Sequence, residues 1–126
     1  MASYADTQQA LIVDRVPFFA SGSITSGNTA TITFDNLTDQ VEVTCLSLTA
    51  GVLRVGVTTT GVGSTERVTL GATAGLNSSG LLDVRLKQVV LKADGGDATY
   101  QVFAVLSRTA SSIYPDITTA NGFAGV

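Results

Sequence analysis

The chain has 126 residues, seven Lys and Arg against ten Asp and Glu, no His, and a net charge of −3. That length makes one domain with one core. The scattered cations speak against nucleic acid, whose phosphates need several together, and no apolar run approaches the roughly 20 residues of a membrane span.

Charged side chains are only 13% of the sequence, against about a quarter in ordinary domains. The polar surface is therefore built mostly of Thr, Ser, Asn and Gln, which lose less hydration than ions when covered by a partner. Interface cores are poor in charge for the same reason, so the composition predicts an obligate or near-obligate assembly. Met1-Ala2-Ser3-Tyr4-Ala5-Asp6 lacks the basic and apolar regions of a signal peptide, and the chain is expected to be made and kept in a cytoplasm until assembly. Cys45 stands alone in Val43-Thr44-Cys45-Leu46, which excludes an internal disulfide and reads as a small buried hydrophobe.

Thr (18) and Val (15) dominate the composition, and β-branched side chains favour strands. Residues 1–16 differ from the rest: Leu11, Ile12 and Val13 run consecutively ahead of Pro17, with Val16 extended because it precedes proline. Strands are then expected over 18–25, 29–34, 41–48, 52–59, 65–72, 82–91 and 99–107. In 29–34, Ala30, Ile32 and Phe34 alternate with Thr29, Thr31 and Thr33. Asp35-Asn36-Leu37-Thr38-Asp39 reads as a turn whose side chains bond their own backbone. The change of phase from Val41, Val43 and Cys45 to Leu46 and Leu48 predicts a bulge or burial on both faces. Gly61-Val62-Gly63-Ser64 and 75–80 read as loops.

Residues 82–91, with Leu82, Val84 and Leu86 alternating against Asp83, Arg85 and Lys87, give the strongest strand signal. Asp94-Gly95-Gly96-Asp97 is expected to turn it into a core hairpin with 99–107. There, apolar Phe103 and Val105 face away from Tyr100, Val102, Ala104 and Leu106, which marks a central strand. Residues 111–126 lose the alternation. The fold class is all-β: an antiparallel β-sandwich or jelly roll of about seven to eight strands over 17–110, with N- and C-terminal arms over 1–16 and 111–126.

Without His the chain lacks the usual general base, nucleophile activator and metal ligand. Lys87 and Lys92, the candidates for a Ser–Lys arrangement, read as solvent-facing. Asp94 with Asp97 and Asp35 with Asp39 are the nearest carboxylate pairs, but each sits where Asp is a turn former, and neither loop has the oxygen ligands for Ca²⁺ on its own. The glycines of 56–63 lack a Lys-Ser/Thr ending, so no phosphate loop is read there. The sequon Asn36-Leu37-Thr38 has no secretory context. No catalytic residue, cofactor or metal is expected, and no Trp is present to stack a sugar.

The order Phe18-Phe19-Ala20-Ser21-Gly22-Ser23-Ile24, Thr29-Ala30-Thr31-Ile32-Thr33-Phe34, Thr38-Asp39-Gln40-Val41-Glu42-Val43, Gly51-Val52-Leu53-Arg54-Val55-Gly56-Val57, Leu82-Asp83-Val84-Arg85-Leu86-Lys87 and Ala98-Thr99-Tyr100-Gln101-Val102-Phe103 resembles the decoration (cement) proteins of tailed-bacteriophage heads. The likeness is one of pattern from about Phe18 to Phe103, with no site motif. It implies a β-sandwich or jelly-roll homotrimer that binds the major capsid protein, stabilises the shell, adds no chemistry and resides in the virion. The partner-binding residues expected are Tyr4, Leu11, Ile12 and Val13, apolar anchors on the N-terminal arm that meet the capsid or a neighbouring protomer. Two other readings are a receptor-binding or fibre-tip module recognising a cell-surface glycan, and another coat, tail or appendage subunit.

Overall fold

A computed structural model describes residues 15–73, 75–118 and 126. Its strands are β1 (Val16–Ile24), β2 (Thr29–Thr33), β3 (Asn36–Leu48), β4 (Val52–Gly56), β5 (Val68–Leu70), β6 (Gln88–Asp94) and β7 (Ala98–Ala110). A short helix, α1 (Thr59–Gly63), lies between β4 and β5, and a 3-10 turn (Ser111–Ile113) follows β7. The strands form two antiparallel sheets, ordered β1-β7-β3 and β2-β6-β4-β5. The protein is an all-β sandwich.

Alternation places the core. Tyr100, Val102 and Ala104 of β7 and Val41, Val43 and Cys45 of β3 face Leu53 and Val55 of β4 and Val89, Leu91 and Ala93 of β6. Phe18 of β1 meets Phe34 edge-on, with ring centroids 5.2 Å apart, and so ties the first strand to the opposite sheet. The expected bulge is present: the β3–β7 register shifts between Cys45 and Ser47. Cys45 is buried in the core as its neighbours predict, and burial raises its thiol pKa above the ordinary value.

Residues 77–87 run along the free side of β3. The Cys45 N–H donates to the Asn77 carbonyl (2.7 Å) and the Ser79 N–H to that of Val43 (2.9 Å), while Val41 and Leu82 exchange bonds of 2.9 and 2.8 Å. Counted as a fourth, irregular member, this segment gives β1-β7-β3-(77–87) facing β2-β6-β4-β5. Successive members then change sheet everywhere except between β4 and β5, which is the wiring of a jelly roll.

That wiring corrects the expected hairpin. The strand predicted over 82–91 is regular only from Gln88, and β6 and β7 lie in different sheets, so 94–97 is an arch rather than a hairpin turn. The cause of the irregularity is Thr38, which is 0% exposed. Its hydroxyl donates to the Val84 carbonyl (2.7 Å) and accepts from the Leu86 N–H (2.9 Å), taking places a backbone ladder would fill. The β3–β7 register also shifts on both sides of Thr38.

Three further expectations give way to packing. The turn expected over 35–39 shrinks to a bend, because buried Leu37 and Thr38 draw β3 back to Asn36; the Asn36 amide donates to the Ser107 carbonyl (2.7 Å) rather than to its own turn. The loop expected at 61–64 overlaps α1. Thr58 caps the helix, its hydroxyl accepting from the Gly61 N–H (2.9 Å), and fully buried Val62 packs on Gly56. The strands expected over 52–59 and 65–72 shorten to β4 and β5 around this helix.

Candidate functional site

The anchors expected at Tyr4, Leu11, Ile12 and Val13 lie outside the described residues. Arg15, just ahead of β1, has its guanidinium 3.8 Å from Asp39 of β3, past β7. Arg85, on the segment beside β3, shares the same carboxylate at 3.4 Å. Two cations at one end of the sheet thus depend on a single Asp.

The carboxylates weighed for chemistry are mostly engaged in structure. Asp94 pairs with Arg54 across neighbouring strands. Asp97 accepts from the Ser26 N–H at 2.9 Å, which ties the β1–β2 turn to the 94–97 arch. Among the described residues, no three His, Cys, Asp or Glu side chains gather as metal ligands do. The Glu66 carboxyl is held below its ordinary pKa, first by the Ser64 hydroxyl 2.8 Å away and then by its own backbone N–H.

Two clefts open on the sandwich. One, of about 400 Å³, mixes Thr33, Thr58, Gln88, Lys87, Ser111 and Asp116 with Phe34, Val57 and Ile117, and more of its wall is apolar than polar. Lys87 was expected to face solvent, yet its side chain is only 22% exposed: the ammonium donates to the Tyr114 carbonyl (3.0 Å) and to Asp116 (2.8 Å). These bonds draw the stretch after β7 back onto the domain, and Ser111 adds a buried bond to the Phe34 carbonyl (2.6 Å). The second cleft, about 380 Å³, is the apolar mouth between the sheets, bounded by Val41, Val43, Val55, Val68, Leu82 and Val84.

The outer face of the three-stranded sheet is the least expected feature. Pro17 stands beside Val105, and Phe19 beside Phe103. Phe19 is 66% exposed, its ring centroid 5.2 Å from that of Phe103. On the other side of β7, Gln40 stands opposite Val105 and Glu42 opposite Phe103. Ser21, Gln101 and Thr44 make the next row, so an apolar block sits within a polar border. The signal was legible: with Phe18 buried inward, alternation sends Phe19 out, and Phe103 and Val105 point the same way. Apolar residues on both faces of β7 marked a central strand, and β7 does lie between β1 and β3, but nothing among the described residues covers its outer face.

No family model matches the chain, and no curated protein is similar to it. A functional reading therefore rests on the surface just described.

Proposed function

We propose that the protein is a structural decoration (cement) protein that binds the major capsid protein of a tailed-bacteriophage head and stabilises the shell. The observation that carries this reading is a charge-poor sandwich with large apolar side chains left in solvent: Phe19, Leu46, Leu76 and Ile113 are all exposed. Of these, Phe19 stands with Pro17, Phe103 and Val105 in one block, and contiguous apolar surface of that kind on a small domain marks a binding surface. The jelly-roll wiring adds an analogy of fold, since capsid proteins use it, although one fold hosts many functions. In this reading the protein acts as a homo-oligomer, a trimer in its simplest form, on the virion surface. Many copies of one modest contact then sum to a firm clamp.

The attachment is assigned to the N-terminal arm, with Tyr4, Leu11, Ile12 and Val13 as anchors, because an extended apolar segment adds readily to a neighbouring sheet edge. Deleting residues 1–13 is expected to leave the β-sheet circular dichroism unchanged and to abolish binding to undecorated heads in a co-sedimentation assay. Undiminished binding by the truncated protein moves the contact to the loops or the C-terminal stretch.

The first cleft favours one second reading. Its Thr33 and Thr59 hydroxyls and the Gln88 Oε1, whose amide nitrogen donates to the Val57 carbonyl, offer a sugar polar partners, as a glycan-recognising receptor-binding module requires. Under the decoration reading a glycan array gives no saturable signal; saturable binding that is lost in Gln88→Ala supports the second reading instead.

A further inference from the structure

We infer that the outer face of the β1-β7-β3 sheet, centred on Phe19 and Phe103, packs against a second copy of this chain, with Arg15 of one copy meeting Glu42 of the other. The inference goes beyond the trimer of the decoration reading: a face that meets its own copy makes a two-fold contact and pairs protomers.

The first argument is shape and chemistry. Register places Pro17, Phe19, Phe103 and Val105 in one contiguous block on a sheet face, bordered by Gln40, Ser21, Gln101 and Thr44. An apolar centre with a polar border is the anatomy of a protein–protein contact, and aromatic residues are enriched at such centres.

The second argument is charge, and it selects the occupant. Glu42 stands in register with Phe103, half-buried, and has no hydrogen bond or ion pair among the described residues. An unpaired acid beside apolar rings favours a partner that brings a cation. The same face supplies one at its far corner. Arg15 is mostly exposed, holds Asp39 only at 3.8 Å, and shares it with Arg85 at 3.4 Å. Within one chain Arg15 turns to Asp39 of β3, three residues before Glu42, and leaves Glu42 without a cation. Between two copies the acid of one face answers the surplus cation of the other, as repeated contacts in closed assemblies require. A capsid or glycan partner must bring that complementarity from outside; a second copy already carries it.

Sedimentation velocity of the full chain at micromolar concentration tests the contact. The parent is expected to sediment as an oligomer, and Phe19→Ser to raise its dissociation constant by about 100-fold or more. Glu42→Arg alone should weaken association by about tenfold, and Arg15→Glu combined with Glu42→Arg should recover most of that loss. All these side chains lie on the surface, so circular dichroism should match the parent throughout. A monomeric parent, or an oligomer indifferent to both Phe19→Ser and the charge exchange, overturns the inference. Binding to heads is scored separately: a chain that self-associates through Phe19 yet ignores heads retains this contact and loses the decoration role, and the reverse result separates them the other way.

Discussion

Val102→Asp is expected to unfold the domain at temperatures where the parent is intact. Val102 is 0% exposed at the middle of β7, the central strand of its sheet, in register with Ala20 on one side and Val43 on the other. An aspartate there must stay charged in an apolar core or take up a proton, and either way the site loses a packed side chain and gains an unpaired polar group. The cost is on the order of 2–5 kcal/mol or more, a large part of the 5–15 kcal/mol that holds a typical domain together. Gln101→Asp, one residue away on the exposed face, is the control and should leave the melting temperature within a few degrees. Val84→Ala should also be mild, because Val84 lies 38% exposed at the lip of the apolar mouth instead of in a core strand. Thermal melts followed by circular dichroism read all three. A Val102→Asp variant that melts with the parent would place the core on the other face of β7.

What the sequence made legible was periodicity. Thr29 to Phe34, the two faces of β7 and the phase change at Cys45 were readable because side chains alternate with a period of two, whatever strand lies beside them. Pairing was not readable in the same way. Leu82, Val84 and Leu86 alternate as cleanly as any strand, yet Thr38, 46 residues from Val84, fills the ladder positions with its hydroxyl. Nothing local to 82–91 announces that competitor. The Asp94-Gly95-Gly96-Asp97 signal was likewise correct as a reversal and misleading as a hairpin, since glycine permits the turn without choosing the sheet to which the chain returns. For the surface, Phe19 and Phe103 were visible as apolar residues, but their exposure depended on nothing covering the sheet. Glu42 and Arg15 became a pair of interest only once β1 and β3 stood on either side of β7 in one sheet.

The arch itself supplies the second large effect. Gly51→Ala is expected to destabilise the domain by about 2–5 kcal/mol, while Gly27→Ala costs only about 1–2 kcal/mol. Both glycines have positive φ, +72° at Gly51 and +83° at Gly27, so both substitutions pay the conformational penalty of an L side chain in that region. Their surroundings differ. A methyl group at Gly27 meets nothing within 4 Å, whereas one at Gly51 falls 1.9 Å from the Asp94 carbonyl oxygen and 2.9 Å from the Gly95 Cα. These obstacles are backbone, so no rotamer relieves them. The turn at Gly51 and the 94–97 arch are also joined across the contact: the Thr49 N–H donates to the Asp97 carbonyl (2.9 Å) and the Asp97 N–H to the Thr49 hydroxyl (2.8 Å). Pushing the turns apart loosens both bonds and the Ser26 N–H bond to the Asp97 carboxylate, which together close this end of the sandwich. Urea unfolding of the two variants in parallel separates the shared backbone term from the steric one. Equal losses would mean that the close approach of Gly51 to the arch contributes nothing to stability; a loss at Gly51 larger by about 1–3 kcal/mol measures the steric cost of that approach.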